Sequence, residues 1–208
     1  MDVAALLRPF IDDLTPSQLN QVSVYIDLLL RWNAKMNLTA IRDPESIVTR
    51  HFGESFFLSR ILTEKGIGPA AKIIDVGSGA GFPGIPLKIA RPTVALSLVE
   101  AQQRKAVFLR EVLRALNLDA EVNNSRAENM ARMRPASADV VTLRAVEKFE
   151  TILPVAAGLV NQTGKLAVLI GRPQVTQAQN LLKNWVFEAF AVVPGSESRV
   201  ILVGNHDG

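Results

Sequence analysis

Two acids and a glycine-rich turn carry the chemistry this sequence offers. Asp75 ends a short β-branched run, Lys72-Ile-Ile-Asp75, and glycines follow at 77, 79, 81 and 84. A second apolar run, Val94-Ala-Leu-Ser-Leu-Val99, is closed by Glu100, nineteen residues after Gly81. Glycine lets a backbone pass close to a ligand and take φ > 0. The edge where such a strand turns into a helix is where open α/β sheets bind nucleotides. A carboxylate at Glu100 can hold both hydroxyls of a ribose. These residues point to an adenosine-containing cofactor.

The surrounding elements must place those groups. Thr15-Pro-Ser-Gln18 reads as a helix start, with Thr15 as cap and Gln18 reaching back. Leu19, Val22, Ile26, Leu29 and Leu30 continue a helical stripe to about Lys35. Asp43-Pro-Glu-Ser46 opens a second helix, expected to run through His51 to about Thr63. From Lys72 the pattern alternates. Strands read at 72–76, 94–99, 119–123, 138–143 and 164–170, and helices at 84–91, 102–116, 147–160 and 174–184. Such alternation predicts a parallel sheet with helices on both faces. Trp185–Val193 and Arg199–Val203, joined by Pro194-Gly-Ser-Glu-Ser198, read as an antiparallel hairpin. The expected division is an N-terminal helical extension over 1–68 and a catalytic domain over 69–208.

That final hairpin separates the candidate folds. A seven-stranded, mostly parallel sheet with a C-terminal antiparallel hairpin is the Rossmann-like class I fold of S-adenosylmethionine-dependent methyltransferases. A nicotinamide-binding sheet is normally all parallel. Gly79-x-Gly81-x-x-Gly84 matches the dinucleotide fingerprint, but Asp75 precedes the glycines and no Tyr-x-x-x-Lys pair is present. The expected cofactor is S-adenosyl-L-methionine. Amides around Gly77, Gly79, Gly81 and Phe82 would surround its amino-acid and ribose portions. Asp75 would orient the loop or accept from the ammonium. Glu100 would hold the ribose. Glu128 could accept from the adenine amino group, with the backbone near Ala127 on a ring nitrogen. Glu128 also reads as an ordinary helix-start acid.

Composition removes other classes. Cysteine is absent and only His51 and His206 are present, so thiolate metal sites, disulfides and a cysteine nucleophile are excluded and no metal is expected. No apolar run approaches the ~20 residues of a membrane span. The N-terminus lacks the basic start of a secretory signal, so a cytoplasmic home is expected. The net charge of +3 is uneven: residues 1–70 carry −1 and residues 71–208 carry +4. The excess in the nucleotide-binding half fits a polyanionic partner.

The acceptor is read partly from absences. Without cysteine, C5 methylation of pyrimidines through a thiol adduct is excluded. No Asn/Asp-Pro-Pro-Tyr/Phe platform for exocyclic amines is present. An acceptor with a free lone pair, such as guanine N7, needs no general base. Arg144, in Thr142-Leu-Arg-Ala145, stands where methyltransferases hold their acceptor, although a lone arginine at a strand end is often a salt-bridge partner. Arg50, His51, Glu54 and Ser55 read equally as a polar face against the sheet. Arg104, Lys105, Arg110 and Arg114 read mainly as the solvated side of one helix.

Taken together the residues resemble the GidB/RsmG family, bacterial methyltransferases that act on guanine N7 of 16S ribosomal RNA. The resemblance rests on Arg31-Trp-Asn33 with Asn37-Leu-Thr39, Arg50-His51 with Glu54-Ser55, and Asp75 through Pro86. Arg104-Lys105, Ser125-Arg-Ala-Glu128 and Arg144-Ala145 complete it. It implies cofactor contacts at Gly77, Phe82, Ala127, Glu128 and Arg144, with Arg144 also as catalytic residue. It implies 16S RNA or the small ribosomal subunit as partner, and a monomer is expected. Where the family usually has Leu-Lys-Gly/Ala after the fifth strand, this chain has Leu169-Ile-Gly171, with Arg172 the nearest cation. Two other readings of the fold are a small-molecule methyltransferase and a non-catalytic RNA-binding module.

Overall fold

The computed structural model describes residues 1–207. Four helices come first: α1 (Val3–Leu7), α2 (Pro16–Asn33), α3 (Pro44–Ile47) and α4 (Glu54–Glu64). Helix α2 starts as its sequence dictates. The amide of Gln18 donates to Thr15 Oγ1 and the amide of Thr15 donates to Gln18 Oε1, closing a capping box. Asp43 caps α3 by accepting from the Ser46 amide. The single helix expected over 43–63 is interrupted, because Val48–Gly53 forms a π-helical turn between α3 and α4. Such wide turns recur at functional sites. Here it carries Arg50 and His51.

The remaining chain alternates between β1 (Lys72–Val76), α5 (Gly84–Ala90), β2 (Ala95–Val99), α6 (Gln103–Ala115), β3 (Glu121–Asn123), α7 (Ala127–Met133), β4 (Ala138–Arg144), α8 (Phe149–Ala157), β5 (Val160–Gly171) and α9 (Gln174–Leu181). It ends in β6 (Trp185–Phe187), β7 (Ala191–Val192) and β8 (Arg199–His206). The sheet order is β3-β2-β1-β4-β5-β8-β6, with β7 also pairing β8. The first five strands pair in parallel, and β8 runs antiparallel to β5, β6 and β7. The strand expected over 185–193 is split in two. Phe187 pairs with Gly204 but Ala191 pairs with Ile201, so one residue too many lies between them and the edge bulges. Laterally the sheet has seven positions. Short helix α7 carries Glu128 in its first turn, in keeping with its reading as a helix-start acid.

Successive strand residues serve opposite faces. Ala167, Leu169, Ile201 and Val203 join one core, while Leu166, Val168, Ile170 and Leu202 join the other. The first core also takes Val22, Tyr25 and Leu29 of α2, Phe56 of α4 and Phe108 of α6. The N-terminal helices therefore cover one face of the sheet, and α7, α8 and α9 cover the other. Ile170 is buried in the second core, and Arg172 is exposed with its guanidinium over the Phe190 ring.

The two faces meet at the turn after β1. Gly81 has φ +91°, and a Cβ there would overlap the Tyr25 hydroxyl, which donates to Ala80 O. Gly79 has φ +58°, yet the nearest atom to a Cβ would be Gly77 O at 3.7 Å. Gly79→Ala should therefore cost only the left-handed penalty of ~1–2 kcal/mol. Gly81→Ala should cost that plus displacement of a buried tyrosine, a sum of ~3 kcal/mol or more. Urea denaturation of both variants measures the difference, and equal costs would contradict this packing.

Candidate active site

The loop from Gly77 to Gly84 is held from beneath by Asp75. That carboxylate is 1% exposed and lies at the C-terminal end of β1. Its Oδ1 accepts from the Thr142 hydroxyl on β4 at 2.7 Å, and its Oδ2 accepts from the Gly84 amide at 3.3 Å. The Ser78 hydroxyl donates to the Asp75 carbonyl at 2.9 Å. Burial pushes the Asp75 carboxyl up to about 6, against the opposing effect of those hydrogen bonds. Of the two roles open to Asp75, the geometry favours orienting the loop.

Glu100 lies beside the loop and is 6% exposed. Its Oε2 accepts from the Gly79 amide at 2.9 Å, and its Oε1 accepts from the Gln102 amide at 2.7 Å. A carboxylate has about four lone-pair sites, so each oxygen keeps one for another donor. That is the pattern a ribose diol needs. Across β3, Ala127 is buried at the first position of α7, and Glu128 is half-buried in its first turn. The β4 side closes the loop from the other direction. A Cβ on Gly77 would lie 2.8 Å from Val146 Cγ1, and Ala145, between Val146 and Arg144, takes φ +49°. A non-glycine residue in that region stores strain of a kind common at functional sites.

Phe82 occupies an unexpected place. Its ring stacks on Tyr25 at 5.2 Å and on His51 at 4.8 Å between centroids, and meets Phe52 edge-on at 5.1 Å. With 6% exposure the ring is a core element that fixes the loop from behind.

Arg144 is not the surface salt-bridge partner that a strand-end arginine often is. Its side chain is 9% exposed and lies 3.2 Å from Glu54, which is itself buried. Its Nη2 also donates to the Arg50 carbonyl at 2.8 Å and to His51 Nδ1 at 2.9 Å. The π-helical turn supplies both of those acceptors. Because Arg144 donates to Nδ1, the His51 proton is assigned to Nε2, which donates to Thr39 Oγ1 at 2.8 Å. Burial, then the charges of Arg144, Arg50 and Arg199, lower His51 to about 3. It is neutral at pH 7 with both nitrogens engaged.

One member of this cluster was not found from sequence. Arg199 reaches Glu54 Oε2 at 3.1 Å from the start of β8, where it pairs with Gly171 at the end of β5. It thus places a cation beside the strand end where the family usually carries lysine. The only local signal was an arginine opening an apolar strand. Both Arg144 Nε and Arg199 Nε are buried without a partner. Among the described residues, no group of three or more His, Asp or Glu could hold a metal ion.

A model of the rRNA small subunit methyltransferase G family (GidB) matches residues 18–198. The chain belongs to this family. A ribosomal RNA small subunit methyltransferase G from Chloroflexus aggregans is 38% identical over 200 residues, covering 91% of this chain and 82% of the relative. The protein of the same name from Xanthomonas axonopodis is 39% identical over 182 residues, covering 86% and 82%. Solved structures share the fold at low identity. A precorrin-6y C5,15-methyltransferase from Geobacter metallireducens gives a TM-score of 0.58 at 14% identity, over 71% of this chain and 86% of that one. A predicted O-methyltransferase from Agrobacterium tumefaciens gives 0.54 at 18% identity, over 67% and 75%. This GidB family member is a methyltransferase of the Rossmann-like class I fold, and its methyl donor is S-adenosyl-L-methionine.

The titrations of Asp75 and His51 oppose each other in acid. Asp75 is raised, so the folded state holds its proton up to about pH 6 while the unfolded chain loses it near 3.8. Its contribution to stability is full below that lower value and is lost as pH rises through 6. His51 is lowered, so its contribution is present above 6.5 and is lost as pH falls towards 3. Relative to Asp75→Asn, the wild type should therefore gain stability, by up to ~3 kcal/mol, as pH falls from 6 to 4. Urea midpoints at both pH values check this, and parallel curves for the two proteins would refute the buried-acid assignment.

Proposed function

We propose that this chain transfers the methyl group of S-adenosyl-L-methionine to N7 of a guanine in small-subunit (16S) ribosomal RNA. The observation that carries the choice of acceptor is that Asp75, His51 and Glu54, which lie near Arg144, are all engaged and none is free to act as a general base there. Asp75 is buried and engaged by Thr142 and Gly84, and neutral His51 is engaged at both ring nitrogens. An amine or hydroxyl acceptor would have to lose a proton in or after the transfer. Guanine N7 has an in-plane lone pair and no proton to lose.

When bound, S-adenosylmethionine would supply a methyl group activated by its sulfonium, and transfer to the N7 lone pair would leave the carbon–sulfur electron pair on sulfur. The protein's task is alignment. The backbone at Gly77, Gly79, Gly81 and Phe82 surrounds the amino-acid and ribose portions. Asp75 fixes that loop from below. Glu100 takes the ribose hydroxyls on its remaining lone pairs, and Ala127 and Glu128 meet the adenine. Arg144 places its fixed positive charge on the acceptor side of the loop, where guanine O6 and N7 are the matching acceptors. Glu54 offsets the charge of Arg144. Residues 1–68 act as a helical extension that supplies Glu54, His51 and Arg50 to a catalytic domain formed by 69–208. No helix among the described residues is long and apolar enough to cross a membrane. The chain acts as a cytoplasmic monomer on RNA or the assembled small subunit.

A chemical test in cells addresses the acceptor atom. N7 methylation makes a guanosine cleavable by borohydride and then aniline. 16S RNA from a strain lacking this gene should lose one cleavage that a plasmid copy restores. A cleavage pattern indifferent to the gene would count against the reading. For the site itself, Glu100→Ala should raise the dissociation constant for S-adenosylmethionine by ~5- to 150-fold, equivalent to 1–3 kcal/mol. Unchanged affinity would remove Glu100 from the ribose. Arg144→Ala would leave the buried Glu54 with Arg199 as its one cation, so Arg144→Lys is the sharper variant. It should lower kcat at least tenfold and weaken cofactor affinity. Unaltered turnover per folded molecule would make Arg144 structural.

A further inference from the structure

The outer rim of the site holds a second cleft that the cofactor roles do not use. It has a volume of about 540 Å³ and lies between the C-terminal end of α2 and the N-terminal half of α6. Its walls include Arg31, Trp32 and Lys35 from one side and Arg104, Val107 and Glu111 from the other. The two helices run antiparallel. Gln21 near the start of α2 donates to the carbonyl of Leu116 after α6, while Trp32 at the other end of α2 packs against Phe108 at 5.5 Å between centroids. The C-terminus of α2 therefore meets the N-terminus of α6. That end of α6 begins at Gln103, three residues after Glu100, so the cleft opens at the same sheet edge as the glycine loop.

Its chemistry is that of a nucleotide seat. Arg31, Lys35 and Arg104 are exposed and form no ion pair among the described residues, while Glu111 is the one acid in the lining. The indole of Trp32 is only partly covered, and Val107 beside it is 43% exposed. An apolar floor with an aromatic ring, rimmed by unpaired cations, fits a base with its phosphates better than an apolar peptide. Base–aromatic stacking is tolerant of sequence and worth ~1–3 kcal/mol per base. Enzymes that act on a base also draw it out of its stack, which leaves a neighbour to be received.

The geometry points to this cleft as the seat of an RNA nucleotide flanking the target guanine, its base on Trp32 and its phosphates on Arg31, Lys35 and Arg104. This rests on the RNA-methyltransferase reading and adds where the strand runs. It gives the α6 cations a role beyond a solvated face.

The test uses the full chain and in-vitro-transcribed 16S RNA. A Lys35→Glu/Arg104→Glu variant changes two exposed side chains, so its thermal midpoint checks folding. It should bind the RNA at least tenfold more weakly, and the slope of log affinity against log salt should fall by about one or two. Its affinity for S-adenosylmethionine should match wild type. In a Trp185→Phe background, Trp32 emission should be quenched when RNA is added. RNA affinity and salt slope equal to wild type, or Trp32 emission unmoved by bound RNA, would overturn the proposal. These binding readouts decide the cleft whether or not methyl is transferred. Wild-type protein that binds RNA but methylates neither naked 16S RNA nor small ribosomal subunits would sink the functional reading alone.

Discussion

A single buried carboxylate organises this molecule. Asp75 is almost free of solvent, and leaving it unpartnered would cost several kcal/mol. Its two bonds, to Thr142 on β4 and to the Gly84 amide at the head of α5, offset that cost and dictate where the chain goes next. Between Asp75 and Gly84 the glycine loop takes a course pinned at both ends. That course presents the Gly79 amide to Glu100 and the Ala80 carbonyl to Tyr25. It also brings Val146, two residues past Arg144, against Gly77. The glycine loop, Glu100 and Arg144 thus share one reference point.

Around it lies a second buried cluster with a different logic. Glu54 pairs with both Arg144 and Arg199, and His51 stays neutral because it is buried among arginines. An ensemble of this kind holds position well and moves protons poorly. It suits a transfer that needs alignment and fixed charge but no base. The cluster also explains why the N-terminal helices are integral to the site: the π-helical turn at Val48–Gly53 points the Arg50 carbonyl and the His51 ring at Arg144.

The sequence made the glycine-loop edge of the sheet readable because its signals are local. A strand, an acid, a run of glycines and a second acid lie within thirty residues, and the structure brings those groups together. The antiparallel end of the sheet was also visible in its short turn. What escaped were contacts made over long separations. Arg199 meets Glu54 across 145 positions and Tyr25 meets Ala80 across 55, and neither leaves a periodic trace. The π-helical turn hid because its residues fit a helical stripe as well as an α-helix does. The bulge between β6 and β7 hid inside what reads as one strand. Phe82 stood in a ligand-binding motif, yet its ring is held by Tyr25 and His51, partners supplied by distant helices.

The central claim is that the loop fixed by Asp75 and Glu100 delivers a methyl group to a guanine nitrogen that has no proton to lose. The most direct measurement is transfer of labelled methyl from S-adenosylmethionine to small ribosomal subunits, and to naked 16S RNA, prepared from a strain lacking this gene, followed by nucleoside analysis. The account predicts label in 7-methylguanosine and in no other nucleoside. Label on an exocyclic amine or a ribose hydroxyl would contradict it, because such an acceptor must lose a proton and Asp75, His51 and Glu54 near Arg144 are all engaged.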